Sequence, residues 1–260
     1  KKKFGQSNNL TKGFDVDILN ESFRYDKQHG IQGFDTDEYS RFDGEKLNNI
    51  ISVFENREKT NAVLCFVDIS DFSTRFQTQT NEQLTNILDF YYETVIPIIY
   101  KYGGEVEKLI GDGIIFMFGS PFLNLTIDQL HSRADTCAKE IIKATWSSNL
   151  ISKIALHTGE IIFYRPNTGD FKEYTMIGNS LTELFRLESA SIDNSLNYYV
   201  RSPFDLFLHR NGTYGRLQKV TPLNTHTIGW LFHGPFQVNL TGVSYNHIRN
   251  IAYNENYTTG

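Results

Sequence analysis

Ala62-Val63-Leu64-Cys65-Phe66-Val67-Asp68-Ile69 is an almost unbroken apolar run, rich in β-branched and aromatic residues, that closes on an acid. A run this short and this uniformly apolar predicts a central strand buried on both faces, because a strand with one wet face would alternate. Downstream, Leu84, Ile87, Leu88, Tyr91, Val95, Ile98 and Ile99 recur at helical spacing. They predict a long amphipathic helix that stops at Gly103-Gly104, where a left-handed cap is easy. Segments 106–110 and 114–118 then read as two strands joined across Gly111-Asp112-Gly113, whose glycines permit a tight hairpin around one carboxylate.

A second amphipathic helix carries Ile127, Leu130, Ala134, Cys137, Ala138, Ile141 and Ile142, and strands are expected at 151–157 and 161–164. The order is strand, helix, two strands, helix, two strands. A short helix over 181–189, a strand near 198–200, a helical turn after Pro203 and a last stretch at 247–253 complete an α+β or α/β sandwich. Upstream, Leu47, Ile50, Ile51 and Phe54 mark a helix with one apolar face over 44–57, placed to pack on the domain or on a partner. Residues 1–45 lack sustained periodicity. The expected division is therefore an extension with one amphipathic helix over 1–60 and a catalytic domain over 61–256.

The 260 residues are 40% hydrophobic and 21% charged, as in a globular protein, and no apolar run approaches the length that crosses a bilayer. A net charge of −5 argues against a protein built to grip nucleic acid. Cys65 and Cys137 lie in apolar periodic segments with no ligand-like spacing, so both read as core thiols in a reducing, cytoplasmic setting. The Asn-x-Thr triplets at Asn124 and Asn239 read as chance in an Asn-rich chain. The chain starts Lys1-Lys2-Lys3 without Met, as a fragment would.

Asp68 ends a buried strand and Asp112 sits in a glycine-flanked turn, so carboxylates from neighbouring strands can converge on divalent cations. On spacing alone, the commoner role of such an Asp is to satisfy backbone N–H groups in its own turn. A resemblance shifts that balance. Phe66-Val-Asp68-Ile69-Ser-Asp71-Phe72 resembles the first metal motif of the class III adenylyl and guanylyl cyclases, and Tyr102-Gly-Gly-Glu-Val-Glu-Lys108-Leu-Ile-Gly111-Asp112-Gly113 is similar to their second. Ala155-Leu-His157-Thr-Gly159 resembles their central strand and turn, and Tyr174-Thr175-Met-Ile-Gly178 the strand entering the transition-state helix.

The resemblance implies a ferredoxin-like class III cyclase sandwich, an α+β fold with a mainly antiparallel sheet flanked by helices. It implies that Asp68, Asp112 and the Ile69 carbonyl hold two Mg²⁺ or Mn²⁺ ions, and that Arg186 meets charge building on the α-phosphate, assisted by Thr182. Lys108 and Thr175 would read the base, as an adenylyl cyclase does, with Phe72 and Gly111 also contacting substrate. Since one chain carries both sets of residues, a head-to-tail homodimer converting ATP to cyclic AMP is expected. Taken alone, Arg186 would read as a salt bridge to Glu183 or Glu188. Three positions depart from the family pattern: Asp71 stands for the usual Gly and Thr182 for Asn. The phosphate-binding Lys has no counterpart in Leu240-Thr241-Gly242-Val243, leaving His247 or Arg249 as substitutes. The alternatives are a pyrimidine nucleotide cyclase making cyclic CMP or UMP, which differs in its base pocket, and a regulatory cyclase-homology domain that binds nucleotide with little turnover; Lys108 disfavours a guanylyl cyclase.

Overall fold

The computed structural model describes residues 44–148, 150–166, 174–212 and 229–253. Of the expected extension over 1–60, residues 1–43 lie outside the described residues. Among the described residues an 8-stranded sheet runs β2 (Glu105–Ile110), β3 (Gly113–Phe118), β1 (Lys59–Ile69), β4 (Ser152–Tyr164), β6 (Ser195–Tyr199), β8 (His247–Tyr253) and β7 (Trp230–Gln237), with the short β5 (Thr175–Ile177) paired to β4. Its neighbours are antiparallel except β4 and β6. The apolar run lies at the centre: residues 62–67 are all buried, because β1 is flanked by β3 and β4 and covered on both faces.

Alternation assigns the two faces. Val63, Cys65, Val67 and Ile69 enter a first core with α3 (Asn81–Lys101), α4 (Ile127–Ser147) and α6 (Pro203–Arg210). Ala62, Leu64 and Phe66 enter a second core with α1 (Gly44–Glu55) and α5 (Asn179–Ser189). A one-turn helix α2 (Phe72–Arg75) follows β1. Both long helices begin with a capping box: Thr80 with Gln83 on α3, and Thr126 with Gln129 on α4. Each pair satisfies two otherwise orphaned backbone donors and fixes where the helix starts.

The α+β architecture with a mainly antiparallel sheet is as expected, and both cysteines are buried free thiols. Three details differ. Segments 151–157 and 161–164 are one continuous strand, β4, with no turn at Gly159, which lies opposite Ala62 in the ladder. The structure also contains β7, which the sequence does not announce because its outer half is exposed and interrupted by Gly234-Pro235. After Pro203 the chain forms an 8-residue helix, α6, capped by the Ser202 hydroxyl, rather than a single turn. No helix among the described residues is long and apolar enough to cross a membrane.

Candidate active site

The β2–β3 hairpin closes on Gly111 and Asp112, with Gly111 at φ 61° in the left-handed region that this turn position requires. The turn delivers Asp112 against Asp68 at the end of β1. Asp68 is pushed up to about 7, first by burial and then by the Asp112 carboxyl beside it, with Lys153 pulling the other way. Gly113 makes this approach possible. A Cβ there would stand 2.3 Å from the Phe66 ring and 3.3 Å from Asp68 Oδ1. A carboxyl whose proton affinity is raised by burial and by a neighbouring acid forms an arrangement that a divalent cation relieves, so the residues fit the metal chemistry that the motifs imply.

Four side chains that the sequence did not mark for the site surround this pair. Lys153 faces Asp68 across the β1–β4 ladder, its Nζ 3.4 Å from Asp68 Oδ2 and 2.8 Å from Glu188 Oε1 on α5. The Tyr92 hydroxyl donates to the Gly111 carbonyl and holds the hairpin. Burial, then Asp112 and Asp68, push that phenol up to about 12, which keeps it a donor. Tyr91 and Ser152 bond at 2.8 Å beside it. No one-dimensional pattern marks these residues, whose roles come from pairings across 19 or more positions.

The departure at position 71 has a backbone explanation. Asp71 adopts φ 54°, ψ 30°, a left-handed conformation that glycine takes freely and Asp tolerates. Asp71 is exposed, and its side chain makes no capping bond to α2. The Phe72 ring packs on the first core and lies 5.1 Å from Phe76, so its side chain serves packing. Ile69 is buried, 1% exposed, with its backbone in the ladder opposite Ser152.

Lys108 reaches its position through a β-bulge. The β2–β3 register shifts between Val106, opposite Phe116, and Lys108, opposite Ile115. Phe116 belongs to the first core and Ile115 to the second, so the extra residue Glu107 turns Lys108 onto the face that carries Asp68. Without the bulge, strict alternation would place Lys108 on the opposite face with Val106. Thr175 on β5 joins this group by donating its hydroxyl to Glu107 Oε1 at 2.7 Å.

Helix α5 is seated on the same face by Leu184 and Leu187, and it carries Thr182 and Arg186 four residues apart on its exposed side. The carboxylates that could have neutralised Arg186 are engaged elsewhere: Glu183 with His157 Nε2 at 2.9 Å, and Glu188 with Lys153. Among the described residues the Arg186 side chain makes no ion pair or hydrogen bond, which sets aside its reading as a surface salt bridge. His157 is 2% exposed and lies edge-on to Tyr199 and Tyr245. The Tyr199 hydroxyl also bonds the Glu183 carbonyl at 2.9 Å. These contacts pin the helix to the sheet.

The structure therefore brings together Asp68, Ile69, Gly111 and Asp112 at one strand end, and Lys108 with Thr175 through Glu107. Within one protomer, Thr182 and Arg186 point outward. The suggested phosphate-binding substitutes do not join the site. Arg249 lies opposite Tyr198 of the first core, and His247 shares its parity, so alternation directs both away from the face of Asp68.

No family model matches the sequence. Adenylate cyclase 1 of Rhizobium meliloti (strain 1021) is 22% identical over 135 residues, a match that covers 49% of this chain and 20% of that protein. The chain thus spans about a fifth of the length of this curated relative. Among solved structures, the guanylyl cyclase Cya2 superimposes with a TM-score of 0.59 at 19% identity, covering 77% of this chain and 96% of that one. The adenylyl cyclase CyaB from P. aeruginosa gives 0.56 at 20% identity over 76% and 96%. A bacterial light-regulated adenylyl cyclase gives 0.55 at 17% identity over 74% and 90%. The fold is that of the class III adenylyl and guanylyl cyclase catalytic domains.

Proposed function

We propose that the protein is a nucleotide cyclase that closes a nucleoside triphosphate, ATP first among them, into its 3′,5′-cyclic monophosphate. The observation that carries this reading is the convergence of Asp68 and Asp112 at the strand end and hairpin of a cyclase fold. In the reaction the ribose 3′-oxygen attacks the α-phosphorus, the bond from that phosphorus to the α,β-bridging oxygen breaks, the hydroxyl proton passes to solvent and pyrophosphate leaves. Asp68, Asp112 and the Ile69 carbonyl would hold two Mg²⁺ or Mn²⁺ ions, whose chemistry would be to lower the pKa of that hydroxyl and offset the phosphate charge. Tyr92 and Gly113 keep the two acids in register.

Arg186, exposed and without a carboxylate partner among the described residues, binds the α-phosphate as its charge grows; its fixed charge and planar fork suit that role. Thr182, on the same helix face, orients the ribose. Lys108 and Thr175 contact the base, and Gly111 and the Phe72 backbone border the phosphates. The outward direction of Thr182 and Arg186 supports a site completed by a second copy, with the acids of one protomer facing α5 of its partner in a symmetric homodimer. Exposed Phe185 and Ile177, at 37% and 43%, give that surface apolar area to bury. The buried free thiols suit a reducing cytoplasm.

Incubation with ATP, GTP, CTP and UTP separately, in Mg²⁺ or Mn²⁺, with products resolved by chromatography and mass, tests the reading. Cyclic AMP that disappears in Asp112→Ala is the expected result. No cyclic product from any of the four would refute the proposal and leave a regulatory nucleotide-binding domain.

A further inference from the structure

The hydroxyl of Thr175 has a single proton, and the structure shows where it goes: to Glu107 Oε1, 2.7 Å away. Glu107 is 3% exposed and occupies the bulge of β2, next to Lys108. With Thr175 donating to Glu107, the single proton of its hydroxyl is committed to that bond. The Thr175 oxygen then presents only lone pairs to a ligand. Lys108, on the same stretch of strand, presents only donors. The pair therefore offers a base one acceptor and one donor.

We infer that Glu107, buried against the Thr175 hydroxyl, sets the hydrogen-bonding polarity of the base pocket and makes it select nucleotides whose base carries an exocyclic amino group beside a ring nitrogen acceptor. Adenine matches with its 6-amino group and N1, and cytosine matches with its 4-amino group and N3. Guanine and uracil present the reverse, a keto oxygen beside a ring N–H, which would set acceptor against acceptor and donor against donor. Such mismatched polar groups are desolvated without a partner. Selection by polarity alone admits both ATP and CTP and excludes GTP and UTP. Glu107 acts through Thr175 and is a positioning residue.

This inference rests on the proposed assignment of Lys108 and Thr175 to the base, and its test separates the two. The α,β-methylene analogues of ATP, CTP, GTP and UTP, which cannot release pyrophosphate, are titrated into the protein with Mn²⁺ by calorimetry. The expected result is that the adenine and cytosine analogues bind at least about tenfold tighter than the guanine and uracil ones, the effect of one mismatched buried hydrogen bond. Glu107→Gln, which can either donate to or accept from Thr175, narrows the ratio to within about threefold by letting the hydroxyl turn. Thr175→Val abolishes the discrimination and Thr175→Ser retains it, which keeps the test decisive if the Glu107 variant folds poorly. Equal binding of all four analogues by the unaltered protein, or full discrimination in a folded Glu107→Gln or Thr175→Val variant, overturns the inference while leaving the cyclase reading intact. Binding of none of the four overturns both.

Discussion

Replacing Gly159 with alanine should damage the site from a distance by lifting α5. A Cβ at position 159 would stand 2.1 Å from Ser180 Oγ and 2.9 Å from Ser180 Cβ, both well inside van der Waals contact. The backbone at Gly159 has no left-handed φ, so alanine would otherwise be tolerated or favoured in the strand. Ser180 is buried in the first turn of α5, and its hydroxyl donates to the Glu160 carbonyl at 3.0 Å. Admitting the methyl breaks that bond, worth about 1 kcal/mol, and overpacks the joint for a further 1–3, so the sum is about 2–4 kcal/mol. In urea, the unfolding midpoint should fall with an unchanged m-value. Because α5 carries Thr182 and Arg186, a shift of about 1 Å should also lower turnover by up to about a hundredfold. Ser180→Gly removes both contacting atoms, and in a double-mutant cycle it should recover about 2 kcal/mol of the Gly159→Ala loss. A loss below about 0.5 kcal/mol, or strict additivity in the cycle, would refute the argument that this contact seats the helix.

Tyr92→Phe removes the hydroxyl that holds the Gly111 carbonyl, and Mn²⁺ affinity measured by calorimetry should weaken about fivefold, one hydrogen bond's worth; unchanged affinity would show that the hairpin stands without it. Arg186→Ala should leave stability within about 0.5 kcal/mol, because the side chain is exposed, while cutting cyclase turnover by about a hundredfold or more. His131 is 1% exposed, and burial lowers its pKa from 6.5 to about 4, so the folded protein keeps it neutral while the unfolded chain takes up a proton near 6.5. Its contribution is full above about pH 6.5 and is lost as pH falls toward 4, a total on the order of 3 kcal/mol. Denaturant titrations of His131→Gln across that window should show a flatter pH dependence, and an unchanged slope would refute the assignment.

Much of the fold was legible because its signals are local. The run from Ala62 to Ile69 announced a strand buried on both faces, and β1 is that strand. The helical spacing of Leu84 to Ile99 and of Ile127 to Ile142 marked α3 and α4, where periodicity and capping agree. The hairpin around Asp112 followed from glycines whose conformational freedom depends on their own residues alone. By contrast, the resemblance implied a turn at Gly159, whereas this glycine lies within β4 and makes room for Ser180. Strand β7 escaped notice because it lies at the sheet edge with an exposed outer half and carries little apolar alternation.

The sequence by itself nominated candidates for the chemistry: two acids at the ends of strands, an arginine and a threonine one helical turn apart, and a lysine before the hairpin. Only the tertiary structure decided how they are held and which way they face. The bulge at Glu107 turns Lys108 to the face that carries Asp68, an effect invisible in a one-dimensional pattern because it depends on pairing register with β3. Glu183 and Glu188 are claimed by His157 and Lys153, partners 26 and 35 positions away in the chain, and so neither neutralises Arg186. Thr175 meets Glu107 across 68 positions. Composition and periodicity report on a residue's own segment, whereas the polarity of a hydrogen bond and the freedom of a charge are set by whatever the fold places beside it.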